Sequence, residues 1–328
     1  LAPEAPEVIE KLGDYFYYGY RDYARASEQY QRLAILRPND AAVFGSLGFI
    51  HRRQGRWGEA LAELRRAVQL EPRNLRYSRT LAQLALGLNL FDEATAVQLQ
   101  IVANFPEQLN EGWQLVQIPL LAQGSLREGQ AWFTGLKPEK KDEALVLYSR
   151  KAWASVTGDL ETAIRLDQQQ RYFDGFSEPR WTQAVAAAFV LWIHGEAGAA
   201  RARVEPALVE GKAELERKPS PSTWVVLSNA HAILGDKAEA LRCAQKAKEL
   251  VPESADAVAG PRLSQNYAQM LAWCGEKDRA LAELARLLHT PFGENIYNAR
   301  LSPGWFPLRG DPRFEALVND PKNNAPLF

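Results

Sequence analysis

Apolar residues recur along the chain at helical spacing, and short polar connections separate the runs. In the run that starts at Ala60, for example, Leu61, Leu64, Ala67 and Val68 fall on one face of an α-helix. Similar runs follow one another in pairs along most of the chain. The pattern therefore predicts a protein built from successive helix hairpins.

A small residue follows the turn inside each predicted hairpin, and these positions recur with steps of 34, 34, 35, 34, 37, 40 and 40 residues. They are Ala26, Ala60, Ala94, Gly129, Ala163, Ala200, Ala240 and Ala280. Six have a glycine five residues earlier: Gly55, Gly124, Gly158, Gly195, Gly235 and Gly275. Four have a proline twelve residues later: Pro38, Pro72, Pro106 and Pro252. Glycine ends a helix in the left-handed conformation, the small residue lets two helices approach closely, and proline ends the second helix.

This pattern resembles the tetratricopeptide repeat (TPR) family over residues 7–290. The second repeat carries Phe44, Leu47, Gly48, Gly55, Trp57, Ala60, Leu64, Ala67 and Pro72. The seventh carries Trp224, Leu227, Gly235, Ala240, Ala247 and Pro252. The pattern is weaker in repeats four to six, where Gly129 replaces the usual alanine. The resemblance implies an all-α, right-handed α-solenoid of about eight TPR-like helix hairpins.

Residues 1–290 are expected to form the helical repeat array, and residues 291–328 a C-terminal capping segment. The units are predicted near residues 7–40, 41–74, 75–108, 110–142, 144–176, 181–214, 221–254 and 261–292. Because the last hairpin exposes an apolar face, we expect apolar tail residues to cover it; a hook for a partner is the alternative. The candidates for covering are Trp305, Phe306, Leu308, Phe314 and Leu317. Asp311 can N-cap a helix that begins at Pro312.

The tail also resembles the closing segment of TPR arrays in bacterial signalling proteins that carry kinase, cyclase or winged-helix modules. The residues behind this resemblance are Pro303, Trp305, Pro307, Leu308, Arg309, Asp311, Pro312, Arg313 and Phe314. Since the sequence starts without methionine, we expect it to be a fragment of a longer protein, or a processed one.

Composition excludes several classes. With 46% hydrophobic and 24% charged residues, the 328-residue chain has enough apolar surface to fold, and its net charge of −1 is unlike that of a nucleic-acid binder. The longest apolar run, residues 184–193, is too short to cross a membrane, so no membrane insertion is expected. The compartment stays open: the cytoplasm is favoured, and the periplasm would apply if a membrane span preceded the chain.

The sequence predicts no catalytic residue, metal site or cofactor, because phosphate-binding loops and the common metal motifs are missing. His51 and His231 occupy equivalent repeat positions, where packing explains them better than metal binding. Cys243 and Cys274 are expected to be small buried residues. A nucleophilic Cys243 would need His231 as its base.

The resemblance also implies which positions face the concave groove. The partner-binding candidates are Lys11, Tyr15, Tyr18, Arg52, Arg53, Arg76, Arg79, Gln83, Asn229, Arg262 and Gln269. Arginine pairs with carboxylates and tyrosine adds contact area, so an acidic peptide or a chain-end carboxylate would suit the N-terminal part. The alternative is that these arginines only make the surface soluble.

The middle repeats place mostly apolar residues at the same positions: Gln114, Ile118, Leu121, Tyr148, Phe189 and Trp192. They would bind a partner helix, pair two copies of the chain, or belong to the core.

The leading hypothesis is a non-catalytic protein-interaction scaffold, the docking or sensory region of a larger bacterial signalling protein, that binds a peptide or partner helix. The alternatives are a small-ligand or enzymatic pocket lined by Tyr148, Phe189 and Trp192, and a self-association module. The partner and the oligomeric state stay open.

Overall fold

The computed structural model describes residues 4–140, 143–168 and 179–328, and no strand occurs within these ranges. The predicted ends of two units, at residues 142 and 176, lie outside them. The helices are α1 (Pro6–Asp14), α2 (Tyr23–Leu36), α3 (Ala41–Arg53), α4 (Trp57–Leu70), α5 (Leu75–Gly87), α6 (Phe91–Asn104), α7 (Leu109–Gln123), α8 (Arg127–Gly135), α9 (Ala144–Thr157), α10 (Leu160–Gln168), α11 (Arg180–Ile193), α12 (Ala197–Arg217), α13 (Pro221–Leu234), α14 (Lys237–Leu250), α15 (Ala259–Cys274), α16 (Lys277–Leu287), α17 (Ile296–Leu301) and α18 (Pro312–Asn319). The predicted all-α class of TPR-like helix hairpins is confirmed.

The turn inside each hairpin has one backbone conformation. Gly55 (φ 72°) follows α3, and the N–H of Arg56 then donates to the carbonyl of His51 at 2.9 Å. The two hairpins that lack the glycine keep the same handedness, with Arg21 at φ 54° and Asn89 at φ 58°. The left-handed residue reverses the chain and satisfies carbonyls at the helix end.

The small residue after each turn lies at the helix–helix contact. Ala60 is fully buried, and the equivalent alanines of the other repeats are buried to the same degree. The fourth repeat has Gly129 in place of this alanine. The indole of Trp153 occupies the space of the missing methyl group, since a Cβ at Gly129 would lie only 2.3 Å from it. The close approach predicted from the small residues is therefore present.

The chain forms two compact units. Unit 1 runs to Ile118 and includes Glu253–Gly260 and Pro326–Phe328, whereas unit 2 comprises Pro119–Pro252 and Pro261–Ala325. The boundary near Ile118 falls inside α7, at a proline that has no N–H to donate to the helix. The limits predicted at residue 290 for a repeat array and a capping segment stay a prediction.

In unit 1, the first hairpins share an apolar core. It contains Ile9, Tyr23, Ala26, Tyr30, Leu33, Val43, Leu47 and Ile50. Leu327 and Phe328 also belong to this unit: the N–H of Leu327 donates to the carbonyl of Leu88 at 2.9 Å, and the Phe328 ring lies against Gly58. These last residues of the predicted capping segment therefore pack in unit 1, a contact that no local pattern predicts.

In unit 2, the tail packs on the last hairpin. Trp305, Leu308 and Phe314 are almost completely buried in one cluster with residues of α15 and α16. The indole N–H of Trp305 donates to Glu294 Oε2 at 2.6 Å. Asp311 accepts a hydrogen bond from the N–H of Arg313 at 3.0 Å, so the cap predicted at the start of α18 is confirmed.

Candidate functional site

Two arginines of unit 1 flank one aromatic ring. The Cζ of Arg76 lies 4.4 Å and that of Arg52 6.0 Å from the centroid of the Phe49 ring. Arg76 Nη2 also donates to the hydroxyl of Tyr18. Phe49 and Arg52 lie near the C-terminal end of α3 and Arg76 near the start of α5. We call Tyr18, Phe49, Arg52 and Arg76 the arginine surface.

The tyrosines reach this region through a short π-helical turn, Tyr15–Tyr20, that continues α1 and ends at the left-handed Arg21. Tyr15 is 52% exposed and Tyr18 61% exposed, although both carry large apolar rings. The hydroxyl of Tyr15 donates to that of Tyr20 at 2.9 Å. The turn thus holds several aromatic rings at the surface, where they can contact a partner.

The other predicted cations of unit 1 are paired inside the chain. Lys11 Nζ lies 3.2 Å from Asp14 Oδ2. Arg53 Nη1 lies 2.9 Å from Asp256 Oδ2. Arg79 Nε donates at 2.7 Å to Glu111, whose side chain is fully buried.

Arg52 and Arg76 differ from these cations. In the part of the chain that the structure describes, neither guanidinium forms an ion pair with a carboxylate. Burial, followed by the like charge of Arg53, lowers the pKa of the Arg52 guanidinium. Asp256 attracts the Arg52 guanidinium without forming an ion pair with it, so Arg52 and Arg76 carry positive charge that no directly bonded carboxylate neutralises.

Asp256 is a neighbour that sequence reasoning missed. Its side chain is only 6% exposed, and the hydroxyl of Tyr23 donates to it at 3.0 Å. Burial alone would raise the pKa of the Asp256 carboxyl, but the N–H groups of Ala259 and Val258 and the Arg53 guanidinium outweigh it, so the pKa lies below its ordinary value. The carboxylate is thus held in its charged form.

Gln83, another predicted residue, is exposed and lines a second cleft of unit 1, whose walls combine polar side chains with Ala82, Leu86 and Ile118. There Gln98 Nε2 donates to the carbonyl of Glu111 at 3.0 Å and to its Oε2 at 3.1 Å. Asn110 Nδ2 donates to Oε1 at 3.2 Å. These donors and Arg79 satisfy the buried carboxylate, so it serves as a structural link.

The remaining predicted partner residues belong to unit 2. Asn229 is half-buried in α13, and Arg262 is exposed in α15. Gln269 lies against the tail: a Cβ at Gly304 would approach its amide to 2.4 Å. Of these three side chains, Arg262 is therefore the most accessible to a partner.

The aromatic residues proposed for an alternative pocket partly meet in unit 2. Phe189 and Trp192 pack with Trp273, and the two indole centroids lie 4.2 Å apart. Trp273 Nε1 is buried without a hydrogen-bond partner. Tyr148 remains 45% exposed, and in unit 1 Ile118 is a buried core residue. The rings of Phe189, Trp192 and Trp273 thus pack directly against one another, in tilted and T-shaped arrangements.

The two predicted packing histidines differ in their partners. His51 is buried, with Nε2 3.1 Å from Ser27 Oγ and Nδ1 2.7 Å from Glu63 Oε2, so both ring nitrogens are bonded. His231 Nδ1 lies 3.5 Å from Asp236 Oδ2. Burial lowers the pKa of His231 and favours its neutral form.

His231, Glu239 and Cys243 form the group closest to a metal site, with ligand atoms within 4.8 Å of one another. Both oxygens of Glu239 accept hydrogen bonds from Arg242, at 2.7 and 2.5 Å. Burial, followed by the charge of Glu239, raises the pKa of the Cys243 thiol to about 11. A metal would need the thiolate and a free carboxylate. The geometry therefore supports a packed thiol.

No helix among the described residues is long and apolar enough to cross a membrane.

Comparison with known proteins identifies repeats in the N-terminal third. Residues 11–74 and residues 51–117 each match a family model described as tetratricopeptide repeat. Residues 11–117 thus carry tetratricopeptide repeats, which generally mediate protein–protein interaction and are typically non-catalytic. A search of the curated proteins found no match.

Two solved structures are similar to the chain. A tetratricopeptide repeat protein from Parabacteroides merdae ATCC 43184 is 17% identical, with a TM-score of 0.55 over 82% of this chain and 100% of that chain. The structure of Naa15/Naa10 bound to HypK-THB is 14% identical, with a TM-score of 0.35 over 98% of this chain and 52% of that chain. The first likeness supports the helix-hairpin fold and nothing finer.

Proposed function

We propose that this chain, whose residues 11–117 carry tetratricopeptide repeats, is a non-catalytic scaffold that binds an acidic peptide at the arginine surface. The observation that carries the proposal is that Arg52 and Arg76 flank Phe49 without a carboxylate partner. The neighbouring cations Arg53 and Arg79 are already paired. A partner's carboxylate would supply the missing counter-ion.

The aromatic residues support the same partner chemistry. Tyr18 exposes its ring beside Arg76, and Tyr15 exposes a ring on the same π-helical turn, so an acidic segment with apolar neighbours gains both charge pairing and contact area. Charge-assisted hydrogen bonds from arginine to a carboxylate are stronger than neutral ones. The other predicted partner residues would contribute less to binding at this surface. Lys11 is already paired with Asp14, and Arg262 belongs to unit 2. The uncharged residues are Gln83, Asn229 and Gln269.

The test is charge reversal at the arginine surface. The probe is a fluorescein-labelled peptide of alternating glutamate and alanine, and its binding is followed by fluorescence anisotropy. We expect Arg52→Glu with Arg76→Glu to weaken binding by about tenfold or more, the size of effect seen for close charge pairs at interfaces. Because Arg52 is partly buried near Asp256 whereas Arg76 is exposed, circular dichroism must show that the double variant keeps its helicity, and Arg76→Glu alone should weaken binding in the same direction.

A matched control reverses two exposed arginines elsewhere in unit 1, Arg66 and Arg73, and changes the net charge by the same amount. Binding by this control should be close to that of the natural chain. Equal loss in both double variants would mean that only net charge matters, and unchanged binding by the Arg52/Arg76 variant would refute the proposal.

We further infer that the chain is the docking or sensory region of a larger bacterial signalling protein. The support is the tail run that includes Pro303, Trp305 and Phe314. A kinase, cyclase or winged-helix module encoded upstream in the same reading frame would be the expected result, and a reading frame without one would contradict it.

The second candidate function is an apolar binding site in unit 2. It is favoured by Phe189, Trp192 and Trp273, whose rings pack together while the Trp273 indole N–H has no partner. An apolar ligand or a second copy of the chain would change tryptophan fluorescence there. A strict monomer by light scattering at high concentration would exclude the self-association form.

A further inference from the structure

Glu253–Gly260, with the sequence ESADAVAG, belongs to unit 1 although about two hundred residues separate it from the helices that it contacts. The segment connects α14 with α15. Its Asp256 side chain lies among Tyr17 and Tyr23 of the first hairpin and Arg52 and Arg53 of the second. The chain thus places one of its own acidic residues at predicted partner-binding residues.

Both the side chain and the main chain of the segment are bound. Arg53 Nη1 lies 3.0 and 2.9 Å from the two oxygens of Asp256, and Tyr23 donates to one of them. The N–H of Ala257 donates to the carbonyl of Arg53 at 2.8 Å. A Cβ at Gly55 would lie 3.4 Å from the Ala257 methyl group, so small side chains suit this position. A bound peptide would be held by the same kinds of contact.

The charges in this place do not balance. Arg52 and Arg53 bring two positive charges, and Asp256 brings one carboxylate. The hydroxyl of Tyr17 interacts with both guanidinium groups. The Nε atoms of both arginines are buried without a hydrogen-bond partner. The site therefore has more donors and more positive charge than its internal carboxylate satisfies.

We propose that Tyr17, Tyr23, Arg52 and Arg53 form a binding site for the aspartate of an acidic peptide, and that Asp256 is its resident ligand, which a partner must displace. This inference rests on the proposed function, because Arg52 belongs to both the arginine surface and the Asp256 site. The partner chemistry follows from the resident segment: an aspartate followed by small residues.

The test measures binding in trans to the full chain. The probe is a fluorescein-labelled ESADAVAG peptide, and the matched control is ESANAVAG, in which asparagine replaces the aspartate. In Asp256→Asn, an amide of the same size removes the internal negative charge. We expect this variant to bind the acidic probe about tenfold more tightly than the natural chain does, a gain typical of a close charge pair. The asparagine probe should show no such gain.

A second variant guards against loss of folding. Asp256→Ser also removes the internal carboxylate, leaves Tyr23 and both arginines in place, and keeps an oxygen that can accept from the N–H groups of Val258 and Ala259, so it should give a gain in affinity for the acidic probe as well. Circular dichroism and thermal melting check both variants. If folded Asp256→Asn and Asp256→Ser chains bind the acidic probe no better than the natural chain, or if the two probes bind equally, the proposal is wrong.

The two proposals fail differently. If Arg52→Glu with Arg76→Glu abolishes binding of the glutamate–alanine probe while Asp256→Asn changes nothing, the arginine surface stands and the resident-ligand inference is wrong. If Asp256→Asn gains affinity for the aspartate probe while Arg76→Glu, a change outside the Asp256 site, keeps full binding of the glutamate–alanine probe, the reverse holds.

Discussion

Gly129 offers a test of the packing that underlies the hairpins. Seven of the eight repeats have alanine at this position, and alanine is a better helix former than glycine by about 1 kcal/mol. Repeat similarity alone therefore predicts that Gly129→Ala stabilises the chain. The structure predicts the opposite, because the new Cβ would lie 2.3, 2.4 and 2.7 Å from three ring atoms of Trp153.

The size of the effect follows from these distances. Contacts this short require the Trp153 ring or the backbone to move, and overpacking of this kind costs about 1–3 kcal/mol. After the gain in helix propensity is subtracted, we expect Gly129→Ala to lower the free energy of unfolding by up to about 2 kcal/mol. Urea unfolding followed by circular dichroism at 222 nm, a standard helix signal, measures it.

Two further variants make the test decisive. Gly198→Ala, in α12, adds a Cβ that meets no atom within 4 Å, and it should be neutral or slightly stabilising. In a Trp153→Phe background the conflicting outer ring is removed, so Gly129→Ala should become neutral or stabilising there. A coupling near zero between residues 129 and 153, or stabilisation by Gly129→Ala alone, would refute the reasoning.

Two other predictions concern titration. The pKa of the Asp256 carboxyl is lower in the folded state than its ordinary value, so the charged carboxylate stabilises the native state. This contribution to the free energy of unfolding is present above the unfolded-state pKa and is lost as the pH falls through the folded-state pKa. Urea unfolding of the natural chain should therefore lose more stability between about pH 5 and pH 3 than that of Asp256→Asn, and equal losses would contradict this. Burial raises the pKa of both Cys243 and Cys274, so neither should react quickly with Ellman's reagent at pH 8 until the protein is unfolded, whereas fast reaction of the native chain would show that the thiols are accessible.

The hairpins could be predicted from the sequence because their determinants are local. The predicted unit 41–74 corresponds to Ala41–Arg53 and Trp57–Leu70, with the turn at Gly55. A glycine, a small residue five positions later and apolar residues at helical spacing all lie within one repeat. Such a pattern specifies two helices and their contact without reference to the rest of the chain.

The candidate site could be predicted only in part. Arg52 and Arg53 are adjacent in the sequence and look equivalent, yet Arg53 pairs with Asp256 and Arg52 does not. Asp256 lies 203 residues away, and nothing in its local sequence indicates that it returns to the second hairpin. The sequence pattern predicts which positively charged residues lie at the surface, whereas the tertiary structure determines which of them form ion pairs within the chain.

Phe49 shows the same limit in another form. Its position in α3 predicts a core residue, and it is indeed buried. Its ring nonetheless also meets the guanidinium groups of Arg52 and Arg76. Helical periodicity assigns a side chain to a face but does not say what approaches that face from the next repeat.

The residue that reverses the chain between the two helices of a hairpin is defined by its backbone conformation and not by its residue type. Six hairpins have a glycine with positive φ at this position, and the other two have Arg21 and Asn89, which also have positive φ. Chain reversal thus depends on the backbone conformation, and more than one amino acid adopts it. Both exceptions lie within residues 11–117, where the tetratricopeptide repeat models match, whereas the later hairpins keep glycine, so a turn glycine alone does not decide whether a hairpin is matched.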